Sequence, residues 1–201
     1  MITQQGNIAQ VNWVLGEINA LHSSECSLNA EETSQLNSFG NAQRKKEFKA
    51  VRHLKQQIFG ETLIGYGENG KPFINEPEVY IGISHSSNLA LFAYSNIPFG
   101  CDIEEVTDRI TPLADRFCSM DELGLFEGEA GSIQLTHLWS CKEAIYKLVN
   151  IQGIHWKNEM ICTAIAGSIY TFNAFIGSQK IEVHCESILI NEAILTIATY
   201  A

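Results

Sequence analysis

At 201 residues, 45% apolar and 18% charged, the chain can form one ordinary domain or two small lobes, and its composition excludes disorder. Its net charge of −10 argues against general binding of nucleic-acid phosphates. Six cysteines (26, 101, 118, 141, 162 and 185) include no Cys-x-x-Cys pair. An even count fits a secreted disulfide framework, but the opening Met-Ile-Thr-Gln-Gln-Gly-Asn has no basic or apolar leader pattern. The expectation is a cytoplasmic protein with reduced, mostly buried thiols.

Residues 8–21 fit either an opening strand, in which Val11 and Trp13 alternate, or a short helix carrying Val14, Ile18 and Leu21. Ser27 to Leu36, with Glu31 and Glu32 early, reads as a helix start. Residues 41–58 form the clearest amphipathic helix, with Phe48, Val51, Leu54 and Ile58 on one face and Lys45, Lys49 and Arg52 on another. Six of the chain's 13 lysines and arginines fall between Arg44 and Lys55, a charge run whose plainest reading is a solvated face. Gly60 ends this helix, and a glycine-rich stretch leads to the turn Gly70-Lys71-Pro72.

Val79 to Ile83 reads as a strand followed directly by Ser84-His85-Ser86, with Leu89 to Tyr94 as its hairpin partner. Residues 79–101 are uncharged, but four serines, two asparagines, His85 and Pro98 make them too polar for a membrane span. Asn96-Ile97-Pro98 marks a boundary between lobes at 1–98 and 99–201. The second lobe opens with a strand, Phe99 to Val106, from which Asp102 and Glu104 project to one side and Ile103 to the other. Taken alone, that pair of acids reads as the wet face of an edge strand.

Ser119 to Glu122 has capping-box spacing, so Glu122 reads as structural. Residues 127–134 read as a mobile loop before a helix from Leu135 to Leu148. Within it, Trp139-Ser140-Cys141-Lys142-Glu143-Ala144-Ile145-Tyr146-Lys147-Leu148 looks like a helix start, with Ser140 placed as N-cap and Glu143 three residues on. Glu143 and Lys147 share a face at i and i+4. The remainder alternates as strands over Ile161–Ile165, Ser168–Ile176, Lys180–Glu186 and Ile188–Tyr200. If the strand and the helix meet, three carboxylates and a lysine converge, a set suited to Mg²⁺ on a diphosphate.

The pairing of Gly100-x-Asp102-x-Glu104 with Trp139-Ser140-x-Lys142-Glu143-Ala144-x-x-Lys147 resembles the signature of 4′-phosphopantetheinyl transferases. The likeness is to the longer, two-lobed, surfactin-synthetase-activating type, and runs over roughly 38–157. It implies an α+β fold of two similar α/β lobes, with the active site in the cleft between them. It implies transfer of the 4′-phosphopantetheine moiety of CoA to a serine of an apo acyl or peptidyl carrier protein. Asp102, Glu104 and Glu143 become the Mg²⁺ ligands, Lys147 a stabiliser of diphosphate charge, Lys142 its assistant beside the acid, and Glu143 also the candidate base. CoA binding falls to Arg52, Lys71, Ser84 and His85. Carrier protein and CoA are the implied partners of a monomer that binds neither nucleic acid nor membrane. Cys101 stands where the family usually has an aliphatic residue, and the first forty residues lack basic positions that some relatives use for CoA. Two rival readings are a catalytically inactive module that binds CoA or a carrier protein, and a Mg²⁺-dependent phosphohydrolase.

Overall fold

The computed structural model describes residues 2–23 and 26–201, which divide into two compact units. The first comprises the described residues up to Gly67 together with Pro72–Ile97. Its elements are β1 (Gln4–Ile8), β2 (Val11–Glu17), α1 (Ile18–Ser23), α2 (Ala30–Ser38), α3 (Ala42–Phe59), β3 (Ile64–Tyr66), β4 (Pro72–Ile74), β5 (Tyr80–His85) and β6 (Leu89–Ser95). Four strands form an antiparallel sheet in the order β1-β2-β6-β5, while β3 and β4 pair as a separate ribbon. The ambiguous opening stretch holds both structures: Ala9 and Gln10, at φ 48° and 66°, turn the chain between β1 and β2, and α1 follows.

Asn41 caps α3 by accepting hydrogen bonds from the backbone N–H groups of Gln43 and Arg44, and Gly60 ends the helix at φ 57°. Ala50, Val51 and Leu54 pack into a core with Val14, Leu21, Ile81 and Phe92. The basic face of α3 is not simply solvated, since Arg52 and Lys55 are each only 2% exposed. Lys55 Nζ reaches the Gly60 carbonyl at 3.1 Å, which brings a cation to the helix C-terminus where the macrodipole favours it.

The second unit comprises Glu68–Lys71 and Pro98–Ala201. Its elements are β7 (Gly100–Glu105), α4 (Ala114–Phe117), α5 (Met120–Leu123), α6 (Ser132–Val149), α7 (Trp156–Glu159), β8 (Met160–Ala166), β9 (Ile169–Ile176), β10 (Gln179–Ile190) and β11 (Ala193–Tyr200), with a 3-10 turn at Asp108–Leu113. The strands form an antiparallel sheet in the order β7-β11-β10-β9-β8, and α6 lies across β7, β11 and β10. Leu135, Leu138, Cys141, Ile145 and Leu148 of α6 join Phe172, Val183 and Ala198 of the sheet in one core.

Three local expectations change. Ser140 is not an N-cap: α6 already begins at Ser132, with Gly131 before it, and Ser140 sits fully buried in mid-helix. The loop expected over 127–134 therefore ends three residues early. The strand expected over 188–200 is divided, because Asn191 at φ 56° turns the chain and pairs Ile190 with Ala193. Among the described residues no helix is long and apolar enough to cross a membrane. All six cysteines are free, and five are buried.

Candidate active site

The site in the second unit is built where α6 crosses β7. Alternation along β7 places Gly100, Asp102 and Glu104 on one face and Cys101 and Ile103 on the other. The first face is the one against α6, because a Cβ on Gly100 would lie 1.9 Å from the Ala144 carbonyl oxygen. Glycine is required there by close backbone approach. Burial pushes the Cys101 thiol up to about 12, so it stays protonated and acts as core.

Trp139, Glu143 and Lys147, each four residues apart, make one ridge of α6. At one end of the ridge Trp139 Nε1 donates to Glu104 Oε1 at 3.0 Å. At the other, Lys147 Nζ donates to Asp102 Oδ1 at 2.7 Å. Glu143 stands between these anchors on the helix. Asp102 is nearly buried, whereas 32% of the Lys147 side chain remains exposed. Trp139 had no role assigned from sequence, although its i−4 spacing from Glu143 was the available signal.

The electrostatics follow from crowding three carboxylates around one ammonium. Burial raises Glu104 to about 7, Asp102 and Glu143 add repulsion, and the Trp139 hydrogen bond and Lys147 partly offset them. Glu143 is raised by burial and then by Asp102, against the pull of Lys147. For Lys147, burial lowers the pKa, but Asp102 and the neighbouring acids outweigh it, and the net shift is upward. The ammonium is therefore held charged.

These donors suit a hard divalent cation: all are carboxylate oxygens, and their mutual repulsion is what bound positive charge would relieve. Among the described residues, no three His, Cys, Asp or Glu side chains form a ready-made metal cage. Mg²⁺ does not need one, because it draws on one or two carboxylates together with water and substrate phosphate.

Lys142 does not join the ridge. It is fully buried, and its ammonium donates to the Phe117 carbonyl at 2.6 Å, the Trp156 carbonyl at 3.1 Å and Glu122 Oε1 at 2.7 Å. Glu122 also accepts from the Cys162 N–H at 2.9 Å, and it closes a capping box with Ser119. The pair thus ties α5, α6 and β8 together.

Lys71 follows a tight turn pinned to the end of α6. Asn69 Nδ2 donates to the Asn150 carbonyl at 3.1 Å, and Asn150 Nδ2 donates to the Glu68 carbonyl at 3.3 Å. Asn150, the C-cap of α6 at φ 52°, stands three residues beyond Lys147. Partial burial lowers the pKa of Lys71.

In the first unit, Ser84 and His85 end β5, Ser84 buried and His85 partly exposed. Arg52 is enclosed: its guanidinium lies 3.7 Å from the Phe48 ring centroid, Nη1 donates to the Tyr66 hydroxyl at 3.1 Å, and Nε lies 3.4 Å from Glu32 Oε1. Glu32 is the one buried residue of α2. Sequence alone did not show this pairing, since an acid on a polar helix has no pattern that marks burial.

A family model for the 4′-phosphopantetheinyl transferase superfamily matches residues 98–198. Among named proteins, the chain is 35% identical over 114 residues to the 4′-phosphopantetheinyl transferase psf-1 of Bacillus pumilus, covering 53% of this chain and 48% of that protein. It is 28% identical over 145 residues to the 4′-phosphopantetheinyl transferase ffp of Bacillus subtilis, covering 60% of this chain and 64% of that one. Against the 4′-phosphopantetheinyl transferase gsp of Aneurinibacillus migulanus it is 32% identical over 85 residues, covering 41% of this chain and 35% of that protein. The matched stretches thus span about half the length of these relatives or somewhat more or less.

Proposed function

The chain belongs to the 4′-phosphopantetheinyl transferase superfamily, and from that premise we propose that it moves the 4′-phosphopantetheine arm of CoA onto a serine hydroxyl of an apo acyl or peptidyl carrier protein. The observation that carries this reading is the meeting of Asp102, Glu104, Glu143 and Lys147 where α6 crosses β7.

In the proposed reaction the serine oxygen bonds to the β-phosphorus of CoA. The bond from that phosphorus to the bridging oxygen breaks, and adenosine 3′,5′-bisphosphate leaves. Asp102, Glu104 and Glu143 are the residues that would hold Mg²⁺, which when bound neutralises charge on the diphosphate. Lys147, fixed by Asp102 and kept charged, faces the same developing charge. Trp139 orients Glu104 through its indole N–H. Glu143, whose burial raises its proton affinity, is the candidate to take the serine proton. Lys71, Ser84 and His85 are assigned to the phosphates and nucleotide of CoA. Arg52 is assigned to the same ligand, its guanidinium buried with Nε 3.4 Å from Glu32 Oε1. Lys142 serves by holding α6 in place, as its buried partners indicate.

The test is intact mass of an apo carrier protein incubated with this chain, CoA and Mg²⁺, with an EDTA control and an Asp102→Ala variant. The expected result is a gain of one phosphopantetheine, absent in both controls. No gain with any of several carriers, despite CoA binding, would turn the reading to a binding module. Hydrolysis of CoA without a carrier would turn it to a phosphohydrolase.

A further inference from the structure

One row across the second unit's sheet carries three polar side chains into the core. Ser187 of β10 pairs with Thr196 of β11, and Thr196 pairs in turn with Asp102 of β7. All three are buried. Residues directly opposite on neighbouring strands share a face, with Cβ atoms about 4.5–5.5 Å apart. That face is the one against α6, because Asp102 accepts from Lys147 of the helix and Ser187 Oγ lies 2.7 Å from His137 Nδ1.

The row is linked from its far end. Ser187 Oγ also lies 2.7 Å from Thr196 Oγ1, so His137, Ser187 and Thr196 form one hydrogen-bonded chain. His137 is fixed in turn, its ring stacked on Tyr170 with centroids 5.5 Å apart and planes 18° from parallel. Burial holds its pKa down at about 4, so the imidazole is neutral and carries one N–H. Asp102 therefore has Lys147 reaching it from the helix and, on the adjacent strand, a hydroxyl held by fixed neighbours.

We propose that Thr196, oriented by Ser187 and His137, is a positioning residue for Asp102 and through it sets the affinity of the site for a divalent cation. This rests on the proposed function, in which Asp102 is a Mg²⁺ ligand. The two bonds of the chain can run in either direction, and the carboxylate selects one of them. His137 Nδ1–H donates to Ser187, Ser187 donates to Thr196, and the Thr196 proton turns to Asp102. The reverse direction would use that proton within the row and set a lone pair against negative charge. Hydrogen-bonding partners behind ligating carboxylates orient them for the metal.

The test is calorimetric titration of Mg²⁺ into the full chain saturated with CoA, less the heat of Mg²⁺ into CoA alone. No carrier protein is present, so nothing turns over, and a denaturation curve is taken for each variant. Thr196→Val keeps the shape and removes the hydroxyl, and is expected to weaken Mg²⁺ binding by roughly ten- to a hundredfold. Thr196→Ser, which returns a hydroxyl, is expected to recover most of that loss. A role in packing would reverse this order, because valine fills the space and serine leaves a gap. Ser187→Ala leaves Thr196 in place without its support; it is expected to weaken binding in the same direction, and it carries the test if Thr196→Val does not fold. Folded Thr196→Val and Ser187→Ala proteins that bind Mg²⁺ as wild type does, while Asp102→Ala loses it, overturn the role of Thr196 and leave the proposed function standing. Wild type that binds no Mg²⁺ in the presence of CoA overturns both.

Discussion

Gly100→Ala tests whether the approach of α6 to β7 is what assembles the site. The added Cβ would meet the Ala144 carbonyl oxygen at 1.9 Å and the Leu148 nitrogen at 2.7 Å, both backbone atoms with no rotamer to change. Reaching an ordinary contact of 3.4 Å requires α6 to retreat by roughly 1.5 Å. If Lys147 moves with the helix, its 2.7 Å bond to Asp102 opens toward ~4 Å, beyond hydrogen-bonding range. Overpacking of this kind costs about 1–3 kcal/mol, and a displacement near 1 Å at reacting groups lowers turnover on the order of a hundredfold. Guanidinium denaturation measures the first effect and steady-state transfer to an apo carrier the second. A Gly100→Ala protein with wild-type stability and turnover would refute the reasoning, because it would show that the helix can be moved without disturbing the acids and the lysine.

Lys142→Ala should destabilise the second unit by about 3–5 kcal/mol, since it leaves Glu122 charged and fully buried; a denaturation midpoint close to wild type would place that pair outside the core's energetics. His137 gives a pH dependence. Burial holds it down at about 4, so between roughly pH 6.5 and 4 the unfolded chain binds a proton that the folded chain refuses, and stability falls as pH falls. With a discount for its partial exposure the loss is about 2 kcal/mol. Glu104, raised to about 7, acts in the opposite sense over much of that window, so the measurement is the difference between wild type and His137→Gln across a pH series of denaturation curves; parallel curves would count against it.

The motif pairing was legible because it depends on two short periodicities, two along a strand and four along a helix. Both survive in the structure as Asp102 and Glu104 on β7 and Glu143 and Lys147 on α6. The start of α6 was misread because Ser-x-x-Glu has the same spacing whether it caps a helix or lies within one. Leu135 and Leu138 upstream, continuing the apolar face, were the better guide. Arg52 was placed on a wet face because helical periodicity reports direction, not what a distant segment lays over that direction. Glu32, twenty residues earlier on a polar helix, covers it. Lys142 was read for its adjacency to Glu143, yet neighbours on a helix point about 100° apart, and one side chain stands on the ridge with Trp139 and Lys147 while the other enters the core.

The reciprocal bonds between Asn69 and Asn150 have a bearing on how divisible the chain is. Residues 68–71 group with the second unit, while the sequence on either side of them belongs to the first. The polypeptide therefore passes between units three times, after Gly67, Lys71 and Ile97. A single cut before Pro98 would not release a complete second unit: it would leave Lys71 and its turn on the other fragment and strip the end of α6 of its partner. Any circular permutant or split version that keeps this unit whole has to carry the four-residue insert with it.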